Sequence, residues 1–103
     1  MDQSSITVSR TSEADVKQRQ ILVDLDGNRI AELTFGKSIT RKVPPGRHEL
    51  RVDNTWNRKK AEFDLAPGEH ARFQTLSRAG RFTWFLVAAF GAGPMYVSLE
   101  REP

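Results

Sequence analysis

The amino-acid sequence predicts a mainly β protein, an antiparallel β-sandwich of about seven to eight short strands. First, short segments alternate apolar and polar residues, which is typical of half-buried strands. Second, turns marked by glycine or proline recur about every eight to twelve residues. Third, the 103 residues include no cysteine and suffice for one core without disulfides or metals. We therefore expect a single domain over residues 1–103.

The N-terminal part of the chain predicts one strand followed by a loop. Apolar and polar residues alternate over residues 6–10, which indicates a strand with one buried face. Residues 11–18 are polar and contain too few apolar side chains to dock a helix against a core. We interpret this polar segment as a loop.

The next segment has the clearest hairpin signal in the chain. Asp26-Gly27 separates the apolar strand 21–25 from a second strand, 29–35. An Asp-Gly pair readily adopts the positive φ angles that a tight hairpin turn requires. Ile30 is out of step with the alternation that follows it, so we expect a β-bulge near Ile30.

Four further strands follow in the middle of the chain, separated by turns that contain Pro-Gly or asparagine. They cover residues 39–43, 47–53, 61–65 and 71–75. If the second and third of these strands close over the four-residue loop 54–57, then Asp53 lies opposite Arg58 and Arg47 lies opposite Asp64. The outer face of this hairpin would then carry charges of both signs.

The C-terminal part departs from the alternating pattern. Residues 82–90 are apolar on every face under either a helical or a strand period, and residues 96–99 predict a final strand. We consider three interpretations of 82–90: a buried strand or short helix that closes the core, an oligomer interface, or contact with a membrane. Nine residues are too few to span a bilayer, which needs about 20. The candidate interface residues are Trp84, Phe85, Leu86 and Phe90.

The turn motifs resemble those of a known family. The residues that carry the likeness are 23–27, Gly36, 43–52 and 67–69, and they look like the turns of PEGA-type small β-sandwich domains of bacteria. They resemble even more a group of short bacterial proteins of unknown function. The resemblance implies a non-enzymatic sandwich of the PEGA or prealbumin-like type, and it brings no catalytic residues.

Few residues could carry catalysis or bind a metal. His48 lies on the inward parity of its strand, and His70 follows a Pro-Gly-Glu turn where it could pair with Glu69. Neither histidine has a second ligand at a standard metal-binding spacing, so we interpret both as structural. Residues 91–93 lack the remaining residues of a phosphate-binding glycine loop. We therefore expect no catalytic residue, no cofactor and no metal, and we do not expect an enzyme.

One surface feature has the character of a binding site. Its candidate residues are Trp56, Arg58, Lys59 and Lys60, with Arg51 nearby. An aromatic ring beside cations can stack on a nucleic-acid base, or it can lie at a lipid headgroup layer. Residues 36–81 hold eleven Lys and Arg against five Asp and Glu, which favours anionic partners. The structural alternative is that the charges form a mixed, solvated face and that the tryptophan caps the core.

Two functional hypotheses follow from these features. We favour a non-enzymatic structural or protein-interaction module that self-associates or binds a protein partner through residues 82–90. The alternative is weak binding of an anionic surface, either an acidic membrane or single-stranded nucleic acid, through the basic Trp-containing loop. Residues 1–10 show no basic segment followed by an apolar run, so we expect no signal peptide and a cytoplasmic location, with membrane association left open.

Overall fold

The computed structural model describes residues 3–13, 15, 20–55, 57–79 and 95–102. Within these residues the chain forms eight strands and no helix, so the predicted mainly β fold is confirmed. The strands are β1 (Ser4–Ser9), β2 (Ile21–Leu25), β3 (Asn28–Leu33), β4 (Ser38–Val43), β5 (Gly46–Asp53), β6 (Arg58–Leu65), β7 (His70–Ala79) and β8 (Met95–Arg101). The strand or short helix considered for 82–90 lies outside the described residues.

The described strands form two four-stranded sheets. The strand order is β4-β1-β7-β8 in the first sheet and β3-β2-β5-β6 in the second. Neighbouring strands are antiparallel throughout, with the exception of β1 and β7, which run parallel. This parallel pair departs from the wholly antiparallel prediction. Parallel pairing is possible here because β1 and β7 are far apart in the chain and are not joined by a hairpin.

One hydrophobic core joins the two sheets. Val8 on β1 and Val52 on β5 are fully buried and belong to the same cluster of core residues, although they lie in different sheets. The rings of Phe63 on β6 and Phe73 on β7 connect the sheets directly, with their centroids 4.9 Å apart. Because side chains alternate along each strand, burial of one face leaves the other face to polar residues.

The β2–β3 hairpin has both the turn and the bulge that the sequence predicts. Asp26 and Gly27 have φ angles of 50° and 85°, as a type I′ turn requires. The pairing register shifts between Val23 and Asp24, which leaves Ile30 as the extra residue of a β-bulge.

The outermost described strands carry features that oppose pairing with strands of other chains. β3 contains the bulge at Ile30, and each of the other three has an exposed cation at a position of inward parity: Arg41 on β4, Lys59 on β6 and Arg101 on β8. Arg41 donates to the Ile30 carbonyl oxygen at 3.4 Å, which ties β4 of one sheet to β3 of the other. Bulges and inward charges both protect sheet edges, because they disrupt the flat surface that another strand would need.

A buried ion pair lies where β1 ends. The Arg10 side chain has the inward parity of Ile6 and Val8 and is 0% exposed. Its guanidinium donates to the Asp15 carboxylate at 2.8 and 3.2 Å and to the Leu33 carbonyl oxygen at 2.8 Å. These bonds connect the loop after β1 to the end of β3. The alternating pattern placed Arg10 on a strand with the right parity, but it did not reveal Asp15 as the partner.

We expect Asp15→Ala to lower the free energy of unfolding by about 3–5 kcal/mol, because it removes one partner of a buried ion pair. Urea unfolding followed by circular dichroism measures this change. Asp64→Ala is the matched control, since Asp64 is 72% exposed and pairs with a largely exposed arginine. The control should cost less than about 1 kcal/mol. If the free energy of unfolding falls equally in the two variants, the buried ion pair stabilises the fold no more than the exposed one does.

Candidate functional site

Four basic residues of the β5–β6 hairpin surround a shallow depression in the surface. They are Arg51 on β5 with Arg58, Lys59 and Lys60 on β6, and the depression has a volume of about 250 Å³. The fold thus brings together four of the five candidate binding residues that the sequence singled out. The fifth, Trp56, lies outside the described residues. We call the four cations the basic groove.

The strand register determines which way the cations face. Arg51 lies directly opposite Lys60, and Asp53 lies directly opposite Arg58, as the four-residue loop predicts. These side chains share the outer face of their sheet. Lys59 has the opposite parity and remains exposed at the end of β6. The basic groove therefore combines side chains from both faces of β6, an outermost strand, with Arg51 from the outer face of β5.

Acidic side chains balance only part of the charge of the basic groove. Arg58 lies 3.3 Å from the Asp53 carboxylate, and Arg51 lies 3.9 Å from the Glu49 carboxylate. Among the described residues, no carboxylate forms an ion pair with either lysine of the groove. Four cations beside two carboxylates leave a surplus of two positive charges at this place.

The opposite end of the same hairpin is electrically balanced. Arg47 lies opposite Asp64, as predicted, and its guanidinium contacts the carboxylates of Glu62 at 3.1 Å and Asp64 at 3.0 Å. Hydrogen bonds to Glu62 and Asp64 raise the pKa of Arg47 above its usual value. The predicted mixed, solvated face is therefore present near Arg47, whereas the surplus of positive charge is confined to the loop side of the hairpin.

Two asparagines anchor the β5–β6 loop to the other sheet. Asn54 is 1% exposed, and its side chain donates to Ser77 Oγ on β7 at 3.3 Å while accepting the Asn57 backbone N–H at 2.9 Å. Asn57 Oδ1 in turn accepts the backbone N–H of Val97 on β8 at 2.6 Å. The basic groove is therefore held beside β7 and β8.

The neighbouring ends of β7 and β8 are the points where residues 80–94 leave and re-enter the described fold. Ala79 lies opposite Met95, two residue pairs beyond the place where the asparagines bond these strands. We call the basic groove together with these strand ends the loop end. The candidate interface residues Trp84, Phe85, Leu86 and Phe90 lie outside the described residues.

His48 has structural partners at both ring nitrogens. Nδ1 lies 2.6 Å from Asp26 Oδ2, and Nε2 lies 2.7 Å from the Pro44 carbonyl oxygen. The ring also packs against Phe63, with the two centroids 5.9 Å apart. The inward parity predicted for His48 places it at the edge of the core, where its side chain is 9% exposed.

His70 bonds to β1 and not to Glu69, so the pairing considered from the sequence is wrong. Its ring nitrogens contact Ser5 Oγ and, at 2.9 Å, Thr7 Oγ1. The cause is the parallel pairing of β1 with β7, which places Ser5 directly opposite His70 on the outer face. Glu69 instead pairs with Arg101 at 3.2 Å.

Comparison with family models, curated proteins and solved structures finds no match for this chain. The resemblance to PEGA-type domains therefore stays a prediction that depends on the turn motifs. Within the described ranges, no group of three or more His, Cys, Asp or Glu residues could hold a metal ion. The same part of the chain contains no helix with the length and apolar character needed to cross a membrane.

We expect Asn54→Ala to lower the free energy of unfolding by about 1–3 kcal/mol, because it removes a buried group that bonds both Ser77 and Asn57. Chemical denaturation measures the change. Asn28→Ala is the control, since Asn28 is exposed and its side chain makes only a 3.5 Å contact with the Asp26 carbonyl oxygen. The control should change stability by less than about 0.5 kcal/mol. A neutral Asn54→Ala would mean that the loop is not anchored as described.

Proposed function

We propose that this protein is a non-enzymatic interaction module, built as a single PEGA-like β-sandwich, that binds an anionic partner with its loop end. The core shared by the two sheets supports the sandwich architecture. The bonds at both histidines support binding over catalysis, because each ring nitrogen already has a structural partner. A general base needs a ring nitrogen that can reach a substrate proton.

The observation that carries this proposal is the position of the surplus positive charge. The two lysines of the basic groove have no acidic partner among the described residues, whereas Arg47 at the other end of the hairpin has two. The asparagine bonds hold this surplus at the strand ends that bound the apolar residues 82–90. Cations held beside two strands that are joined in the sequence by an apolar, aromatic segment suit a lipid headgroup layer, where basic and aromatic side chains are enriched.

The magnitudes favour joint action of the cations and the apolar segment. Near an acidic membrane each unbalanced Lys or Arg contributes about 1 kcal/mol, so the surplus of two positive charges contributes about 2 kcal/mol. That free energy corresponds to binding weaker than a dissociation constant of about 1 mM. Insertion of apolar side chains adds about 0.8 kcal/mol for each buried methylene group. An acidic membrane surface is therefore the anionic partner that we favour over single-stranded nucleic acid. A cytoplasmic location, which we also propose, would place the protein opposite an acidic leaflet.

We expect Lys59→Glu/Lys60→Glu to weaken binding to acidic phospholipid vesicles by at least about 30-fold, because two contributions of about 1 kcal/mol are lost. Co-sedimentation at low and high salt measures the binding. The wild-type protein should bind acidic vesicles at low salt and dissociate from them at high salt. It should not bind vesicles of neutral lipid. An oligonucleotide of single-stranded DNA serves as the competing partner.

The matched control is Lys42→Glu/Arg72→Glu, which changes the net charge equally on the outer face of the other sheet. Both residues are exposed. The control should retain most of the vesicle binding. If both double variants lose binding equally, the attraction is a general charge effect and the loop end is not the site. If only the oligonucleotide is bound, the partner is nucleic acid and the membrane assignment is wrong.

A second candidate function is self-association or binding of a protein partner through residues 82–90. The observation in its favour is that Ala79 and Met95, the described residues on either side of this part of the sequence, are paired with each other. Light scattering should then give a particle larger than the 11.7 kDa of one chain, and Trp84→Glu should restore the monomer with its circular dichroism spectrum intact. A monomeric wild-type protein would exclude self-association, and a Trp84→Glu variant that merely unfolds would assign the residue to the core.

A further inference from the structure

The two ring nitrogens of His48 both face atoms that can only accept a hydrogen bond. Nε2 faces the carbonyl oxygen of Pro44, which has no proton to give. Nδ1 faces Oδ2 of Asp26, which has none to give while the carboxyl group is ionised. A neutral imidazole carries one N–H and can satisfy only one of these atoms, whereas the imidazolium ion carries two and satisfies both.

His70 provides an internal comparison in the same molecule. Its ring nitrogens meet the hydroxyl groups of Ser5 and Thr7. A hydroxyl can donate or accept, so these contacts can be satisfied by a neutral ring as well as by a charged one. The partners of His48 demand the charged ring, whereas the partners of His70 do not.

The bonds of His48 link two turns at the end of β5 that lies away from the loop end. Asp26 belongs to the β2–β3 turn and is also bonded to Glu49, through its side chain at 2.8 Å and through its backbone N–H at 2.8 Å. Pro44 belongs to the turn between β4 and β5. The Asp26 turn joins two strands of one sheet, whereas the Pro44 turn connects β4 of the other sheet to β5. The imidazolium ring therefore links strands of both sheets.

Asp26 is the only charged side chain in contact with the His48 ring among the described residues. The ring packs on uncharged Phe63 from β6, and Arg47 on the adjacent position directs its charge to Glu62 and Asp64. Partial burial by itself disfavours the charged ring, but the hydrogen bonds to Asp26 and Pro44 outweigh it and raise the pKa of His48 above 6.5. Partial burial opposes ionisation of Asp26 as well, yet its bonds to His48 and Glu49 lower its pKa below 3.8.

We propose that His48 is a proton-dependent clamp, which in its doubly protonated form holds the Asp26 turn and the Pro44 turn together and on deprotonation releases one of them. Loss of either ring proton turns one N–H···O bond into a contact between two acceptors. The clamp is independent of the partner that the loop end binds, because it uses none of the residues of the basic groove.

The sign of the pH dependence follows from the two pKa shifts. His48 has a raised pKa in the folded protein, so its stabilising effect is complete below pH 6.5 and is lost as the pH rises through the folded value. Asp26 has a lowered pKa, so its effect is complete above pH 3.8 and is lost as the pH falls through its folded value. The clamp therefore stabilises the fold most in the window between these two values.

The test is a titration of His48 by NMR, with the imidazole carbon-bound protons as reporters. We expect His48 to titrate above pH 6.5. The backbone amide signals of Gly27 and Glu49 should shift with the His48 midpoint, because the Asp26 turn moves with the clamp. A His48 midpoint at or below 6.5 would overturn the proposal with the wild-type protein alone.

Asp26→Asn distinguishes the clamp from a merely structural histidine. Asparagine tolerates the positive φ of this position and can donate to a neutral Nδ1, so the bonds can persist without charge. We expect its His48 to titrate at lower pH than in the wild type, because the charge of Asp26 is gone. The unfolding free energy of the wild type should also fall more steeply than that of the variant as the pH rises above 6.5. An unchanged His48 midpoint in Asp26→Asn would contradict the clamp.

Discussion

Contact between the inward faces of the two sheets buries a continuous apolar layer, in which the rings of Phe63 and Phe73 meet across the sheets. Side chains alternate along the strands, so alternation largely dictates which residues enter this layer. At the ends of the strands the layer stops, and the chain must turn without leaving polar groups unpaired. Among the described residues, no buried side-chain nitrogen or oxygen lacks a hydrogen-bond partner. Arg10, which bonds Asp15 and the Leu33 carbonyl oxygen, and Asn54, which bonds Ser77, are the two principal cases, and each connects a loop to a strand.

The two ends of β5 show how one strand supports two different kinds of polar chemistry. Near the start of β5, each ring nitrogen of His48 has a hydrogen-bond partner in a different turn. Arg51, near the finish of β5, contributes to the basic groove and is only loosely paired with Glu49. Closed pairing at one end stabilises the fold, whereas incomplete pairing at the other leaves charge available to a partner. Incomplete pairing on a well-anchored loop is the reason for placing the proposed function there.

Lys59 has two physical roles. Substitution by an apolar residue would remove both at once, so their effects could not be separated. As an inward charge on an outermost strand it discourages pairing with other strands. As a member of the basic groove it adds positive charge. Edge protection requires a charge of either sign, but attraction to an anion requires a positive one. Substitution by glutamate therefore keeps the first role and removes the second, so it tests binding without inviting aggregation.

Local patterns in the sequence were sufficient to predict the strands, the Asp26-Gly27 turn and the bulge at Ile30. They also predicted the β5–β6 register, which follows from the length of the loop. These features depend on residues that are close in the chain, where parity and turn chemistry act directly. Local patterns also identified the cations of the basic groove, but not how their charge is balanced.

Only the tertiary structure decided the contacts between distant segments. The parallel pairing of β1 with β7 placed His70 against Ser5, and the approach of the two sheets placed Asn57 against Val97. No spacing rule predicts such contacts, because they arise when the apolar faces of whole sheets pack together. The sequence by itself determined which side chains face inward, and the packing of those side chains determined which polar groups meet at the ends of the fold.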